Sequence, residues 1–108
     1  MRTIDVKEVT AAVSKLSKDA CYYLPDEMMA ALEASLTSEE SPLGREILET
    51  IIENAKLAKT TDCPICQDTG LAVVFAEIGQ DVHFEGCDLY EAILAGFSAG
   101  LITGYLRK

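Results

Sequence analysis

The stretch around which this chain is organised is Cys63-Pro64-Ile65-Cys66-Gln67-Asp68-Thr69-Gly70. It places two thiols, an amide, a carboxylate and a hydroxyl within eight consecutive residues, the densest group of reactive side chains in the sequence. Residues 71–76, which follow, are apolar and rich in β-branched side chains, a pattern that predicts a buried strand. We therefore expect the reactive residues to lie on a loop at the end of a core element, where a rigid scaffold usually displays its chemistry.

Length and charge restrict the class of protein. With 108 residues, of which 49% are hydrophobic, the chain is long enough for one compact domain, and we predict a single domain over residues 1–108. The net charge of -9 argues against a nucleic-acid partner, because phosphate binding requires a basic patch. Residues 1–8 carry charges where a signal peptide needs an apolar core, so we expect a cytoplasmic protein.

Helical periodicity dominates the first half of the chain. Apolar residues recur at threes and fours from Asp5 to Tyr23, where Asp5 and Glu8 have the spacing of a capping box. A second helix is predicted after Pro25, and a third after the polar break at residues 37–42. These three N-terminal helices precede the cysteine loop.

The second half mixes strand and helix signals. After the strand at residues 71–76, a turn at residues 79–81 predicts a hairpin with a second strand at 82–84. A last helix begins at Asp88 with a second capping-box spacing and carries a stripe of glycines at Gly96, Gly100 and Gly104. The stripe predicts close packing on another helix or sheet, in this domain or on a partner. Its apolar stretch is too short for a membrane span. The predicted class is α+β and mainly helical, with a small β hairpin or sheet and a glycine-striped C-terminal helix.

The pair Cys63 and Cys66 has the C-x-x-C spacing of thiol redox sites, of half a zinc site and of part of an iron–sulfur site. A redox pair should follow a strand and open a helix, whereas this pair precedes a predicted strand. A zinc site needs a second close pair, and Cys21 and Cys87 lie far apart in sequence. Packing of both thiols as small apolar groups stays open as well. We expect all four cysteines to be reduced, since an aliphatic core of this size does not need disulfides.

The segment Cys66-Gln67-Asp68-Thr69-Gly70 resembles one found in the iron–sulfur hydro-lyases that comprise class I fumarases and L-tartrate dehydratases. Pro64, the stretch 78–82 and the final residues 104–108 agree with the same family, and the resemblance covers the chain from about Ser41 onward. The match is to the N-terminal part of the α subunit, or to the equivalent region of single-chain enzymes.

This resemblance implies a [4Fe–4S] cluster held by three cysteines, with one iron left open to bind a hydroxy-dicarboxylate and polarise its hydroxyl. Cys66 corresponds to the first cluster ligand and Asp68 to a catalytic carboxylate. Gln67 matches a position that contacts substrate, as Asp68 also does. Arg107 corresponds to a clamp for a substrate carboxylate, a role that suits the fork of a guanidinium group.

The family's α region is longer than this chain, and the resemblance places the other two cluster cysteines in the part beyond it. We therefore expect the isolated chain to be inactive and to need the remaining α region and a β subunit or domain, in a homo- or hetero-oligomer. An alternative function is a non-catalytic metal-binding or assembly module that uses Cys63 and Cys66, with the glycine stripe as its docking surface. The sequence does not separate fumarate from tartrate as the substrate.

Overall fold

The computed structural model describes residues 1–66 and 70–104. Within these ranges the secondary structure is mainly helical, which confirms the predicted α+β class and the three N-terminal helices. In chain order the elements are β1 (Arg2–Asp5), α1 (Val6–Tyr22), α2 (Asp26–Ser38), α3 (Pro42–Thr61), β2 (Val82–Glu85) and α4 (Leu89–Thr103). None of the helices in the described ranges combines the length and apolar character needed to cross a membrane.

The chain divides into two compact units. The first comprises Met1–Asp19 and Cys66–Lys108, and the second comprises Ala20–Ile65. The boundary therefore falls once near the end of α1 and once directly before Cys66. The single domain over residues 1–108 stays a prediction.

The first unit contains a parallel pair of short strands. β1 pairs with β2 in a register that runs from Arg2 opposite Val82 to Asp5 opposite Glu85. The small sheet is thus confirmed, but the predicted hairpin between residues 71–76 and 82–84 is wrong, because the partner of β2 is the N-terminal strand. Residues 70–80 contain no strand, and their side chains are exposed rather than buried. Apolar composition predicts a strand in that stretch, but a strand forms only where a neighbouring strand pairs with it, and β2 pairs with β1 instead.

The glycine stripe of α4 packs against α1 in the same unit. A Cβ atom placed on Gly96 would lie 2.6 Å from Cβ of Val13 and 2.7 Å from the carbonyl oxygen of Thr10. The Thr10 hydroxyl also donates a hydrogen bond of 2.9 Å to the carbonyl oxygen of Ala92. The predicted close packing on another helix is therefore confirmed at Gly96, and the partner helix belongs to this chain.

Gly100 continues this contact one turn further along α4. A Cβ there would meet the Ser17 hydroxyl and would lie 2.8 Å from the carbonyl oxygen of Ser14. Both glycines are buried. A surface already covered in this way cannot serve as the external docking face that the module hypothesis assigned to it.

The start of α4 differs in detail from the sequence prediction. The helix begins at Leu89 directly after Asp88, as predicted, but the Asp88 side chain makes no capping hydrogen bond. At the start of α1, by contrast, a carboxylate oxygen of Asp5 accepts a 2.9 Å hydrogen bond from the backbone N–H of Lys7. The capping-box spacing therefore predicted both helix starts, but the Asp5 side chain caps its helix whereas the Asp88 side chain does not.

The second unit is built from α2 and α3. The Ser41 hydroxyl caps α3 by accepting a hydrogen bond from the backbone N–H of Gly44, at 3.3 Å. The guanidinium of Arg45 reaches back to the end of α2, where it donates to the carbonyl oxygen of Leu36 at 3.0 Å. The buried side of α3 is formed by Ile52, Ala55 and Ala58. This helix leads directly into the cysteine loop.

Candidate functional site

The end of α3 sets the direction in which the chain enters the cysteine loop. Asp62, the residue after the helix, adopts the left-handed conformation with φ 55° and ψ 51°, which an aspartate tolerates better than most residues. The backbone N–H groups of Asp62 and Cys63 both donate to the carbonyl oxygen of Ala58, the second at 3.0 Å. The Tyr23 hydroxyl is hydrogen-bonded to the Asp62 carboxylate at 2.9 Å. The turn is therefore held by both backbone and side chain.

Ile65 is fixed at both of its backbone polar groups. Its N–H donates to the carbonyl oxygen of Cys21 near the end of α1, at 2.9 Å. Its carbonyl oxygen accepts a hydrogen bond of 2.8 Å from the side-chain amide of Asn54 on α3. We call this pair of hydrogen bonds the Ile65 clamp. Because Cys66 follows Ile65 directly in the chain, the clamp fixes the backbone at the point where the predicted cluster ligand begins.

The thiols of the loop are accessible. Cys63, Cys66 and Cys87 are exposed and Cys21 is half-buried; all four belong to the described residues, and none forms a disulfide. The expectation that they are reduced stays a prediction. An exposed thiol at the end of a fixed backbone segment can approach a metal held partly by another polypeptide, and thiolate is the ligand type that iron–sulfur clusters use.

Cys66 is the one predicted site residue that the described ranges include. Gln67, Asp68 and Arg107 lie outside them, so their predicted roles stay predictions. Within residues 1–66 and 70–104, no three His, Cys, Asp or Glu side chains are grouped closely enough to hold a metal ion. The described donor set thus suits one ligand position of an iron–sulfur cluster and does not complete such a site.

Sequence reasoning missed Asn54, Tyr23 and the backbone of Ile65. The Asn54–Ile65 bond joins residues 11 positions apart, and the Tyr23–Asp62 bond joins residues 39 positions apart. No periodic pattern links such distant positions. One local signal was available, because asparagine is a poor helix former and Asn54 lies within α3 between the buried Ile52 and Ala55. In the structure the Asn54 side chain bonds to the loop.

Relatives of known name and a family model match this chain. The L(+)-tartrate dehydratase subunits alpha of Escherichia coli strain K12 and of Shigella boydii serotype 4 are each 28% identical to it over 68% of the chain and 24% of their own length. The putative L(+)-tartrate dehydratase subunit alpha of Methanocaldococcus jannaschii is 38% identical over 70% of the chain and 27% of its own length. The chain thus spans about a quarter of the length of these relatives. The model of the family described as fumarate hydratase (Fumerase) matches residues 10–108, and the chain belongs to that family.

Proposed function

We propose that this chain supplies part of the active site of a hydro-lyase that reversibly removes water from a hydroxy-dicarboxylate such as malate or tartrate. In this proposal Cys66 is one ligand of a [4Fe–4S] cluster and Asp68 is the catalytic carboxylate. The observation that carries the proposal is the exposed Cys66 thiol directly after the Ile65 clamp. Membership of the fumarate hydratase family and the names of the tartrate dehydratase relatives support the same chemistry.

Each proposed residue has a task that its chemistry allows. The cluster, when bound, supplies a Lewis acid for the hydroxyl that leaves as water. The Cys66 thiolate would be one of the protein ligands of the cluster. The Asp68 carboxylate works with a catalytic residue of the other polypeptide to move the proton of the carbon next to the one that carries the hydroxyl. Gln67 offers an amide to hydrogen-bond the substrate, and the Arg107 guanidinium pairs with a substrate carboxylate. Product and water together contain every atom of the hydroxy-acid, so no further reactant is needed.

The rest of the site comes from other polypeptide in this proposal. The relatives are called alpha subunits and are about four times as long as the part that matches this chain. We infer that the remaining α region and a β subunit provide the other cluster ligands, the partner of Asp68 and further cations for the dicarboxylate, within a cytoplasmic hetero-oligomer. The isolated chain is then inactive.

A second candidate is the metal-binding or assembly module that uses Cys63 and Cys66 together. It is favoured by the exposure of both thiols. It is weakened by the glycine stripe, which the module needs as a docking face and which α1 covers at Gly96 and Gly100. The two candidates differ in what they require of Cys63.

That difference gives the test. This chain replaces the stretch that it matches in the Methanocaldococcus jannaschii α subunit, which gives a protein that we call the joined protein. The joined protein is co-expressed with the β subunit. The complex is then reconstituted anaerobically with iron and sulfide. Turnover of L-tartrate and fumarate is measured together with bound iron and acid-labile sulfide. Replacing Cys66→Ala is expected to abolish turnover and to lower bound iron, whereas the matched control Cys63→Ala retains both. Activity that persists in Cys66→Ala refutes the proposed ligand. A complex without turnover, in which Cys63→Ala and Cys66→Ala lower bound iron equally, supports the non-catalytic two-cysteine module.

A further inference from the structure

Residues Leu71–Ile78 form an apolar segment that no other part of residues 1–66 and 70–104 covers. Seven of its eight side chains are apolar and the other is Glu77. All eight residues are exposed, and Leu71 and Phe75 are 89% and 93% exposed. Over the ranges that the structure describes, the backbone of this segment makes no hydrogen bond. The segment therefore exposes both apolar side chains and backbone N–H and C=O groups without protein partners. Folded proteins rarely expose the two together except where another polypeptide binds.

The order of side chains shows what kind of partner would remove both costs. In an extended chain, successive side chains point to opposite faces, so Leu71, Val73 and Phe75 share one face and residues 72, 74, 76 and 78 share the other. Both faces are apolar. A strand with this composition is typical of the interior of a sheet whose two sides are covered, as in parallel sheets packed between helices. A partner thus has to supply hydrogen bonds at the strand edges and apolar cover on the faces.

We propose that Leu71–Ile78 becomes an internal β-strand by pairing with strands from the part of a tartrate dehydratase-type α subunit that lies outside the stretch matched by this chain. The inference rests on the proposed function, because it takes the remaining α region as the partner. It adds the element through which that region docks. The segment also begins within five residues of Cys66, so docking there brings the partner polypeptide next to the proposed cluster ligand.

A second copy of this chain is a poorer occupant than the remaining α region. Two copies that paired through the same segment around a twofold axis would meet along one edge only, and would leave the other edge and much of both faces open. Each copy also carries a net charge of -9, which opposes close association. The matched stretch covers 27% of the Methanocaldococcus jannaschii relative, so most of that subunit is available to supply strands and covering helices.

Amide hydrogen exchange of the joined protein described above tests this inference, with the isolated chain as the reference. We expect the amides of residues 71–78 to exchange at least about 100-fold more slowly in the joined protein, because pairing places them in a cooperative unit. Equal exchange in the two proteins would overturn the inference. Protection that is already present in the isolated chain, rises with concentration and accompanies a doubled mass in light scattering would also overturn it, in favour of a second copy.

A pair of charge-matched variants separates docking from general instability. Phe75→Lys places a charge on one apolar face of the segment and is expected to remove the protection of residues 71–78 in the joined protein. Leu57→Lys makes the same change at a 60% exposed position on α3 and should leave that protection intact. Loss of protection in both variants, or in neither, contradicts a docking role for this face.

The hydrogen-exchange experiment and the turnover experiment can fail separately. If residues 71–78 are protected but Cys66→Ala keeps full turnover, the proposed cluster ligand fails and the docking strand stands. If the joined protein is active and loses activity in Cys66→Ala while residues 71–78 exchange as fast as in the isolated chain, the docking inference fails and the proposed function stands.

Discussion

The two flanks of the Cys66 loop differ in what holds them. On the N-terminal flank, residues 62–65 form hydrogen bonds to Ala58, Cys21, Asn54 and Tyr23. On the C-terminal flank, residues 71–78 form none in the described ranges and expose their apolar side chains. The described part of the chain therefore contains hydrogen-bond partners for one flank of the reactive loop and none for the other. This asymmetry is what a partial site predicts, since one side is built locally and the other is completed by another polypeptide.

The largest expected contrast is in hydrogen exchange of the isolated chain. The Ile65 amide donates to Cys21 at 2.9 Å, whereas the amides of residues 71–78 have no acceptor among the described residues. A bond worth roughly 1–1.5 kcal/mol slows exchange by about tenfold. We therefore expect the Ile65 amide to exchange about tenfold more slowly than those amides, after correction for intrinsic rates. Equal rates on both flanks would remove the comparison.

Loss of the Asn54 side chain should weaken the anchored flank. Asn54→Ala leaves the Ile65 carbonyl oxygen without its 2.8 Å donor, a loss of about 1–1.5 kcal/mol. Because alanine is the better helix former by roughly 0.5 kcal/mol, we expect the free energy of unfolding to fall by about 0.5–1 kcal/mol. Glu53→Ala, one residue earlier on an exposed position of α3, is the matched control and should change it by less than about 0.5 kcal/mol. Urea unfolding of both variants gives the values. If Asn54→Ala is as stable as the control, the Ile65 clamp does not hold the loop.

A smaller effect is expected at the start of the same flank. Tyr23→Phe keeps the ring and removes the hydroxyl that pairs with Asp62. Because Tyr23 is exposed, water replaces much of the lost bond, and we expect a loss of about 0.5 kcal/mol. Tyr90→Phe removes a hydroxyl from a more exposed tyrosine on α4 and provides the control. A larger loss in Tyr90→Phe than in Tyr23→Phe would show that the Asp62 bond contributes nothing to the turn.

The smallest effect is expected on the open flank. In the isolated chain, Phe75 is 93% exposed, so Phe75→Lys removes almost no buried area and should change the free energy of unfolding by less than about 0.5 kcal/mol. The same variant is expected to prevent docking in the joined protein. A destabilisation of the isolated chain by several times that amount would mean that Phe75 is already buried there.

Local signals in the sequence were sufficient for the helices. A 3.6-residue repeat can be recognised from neighbouring positions alone, and in α3 it includes Ile52 and Ala55, which are buried. The same repeat also includes Ile47 and Ile51, which are 52% and 44% exposed. The glycine stripe predicted close packing for a similar local reason, since helix-interior glycines are costly unless a neighbour needs the space. The sequence did not identify α1 as that neighbour, because Gly96 and Val13 are far apart along the chain.

Pairings between distant residues were not accessible in the same way. β1 is a four-residue strand that begins with Arg2 and ends with Asp5, and such a short, charged segment has no recognisable alternation. Its parallel pairing with β2 therefore leaves no signal in the sequence, whereas the nearer, apolar residues 71–76 predict a hairpin with β2. The family resemblance supplied Cys66, whereas the Ile65 clamp that precedes it depends on Cys21 and Asn54, which only the fold brings to the loop.

Turnover measures most directly whether this chain carries only part of an active site. Rates of L-tartrate and fumarate conversion are compared for the purified 108-residue chain and for the joined complex with the β subunit, after identical anaerobic reconstitution with iron and sulfide. The account predicts no turnover above background for the isolated chain and turnover for the complex that depends on Cys66. Robust turnover by the isolated chain would contradict it.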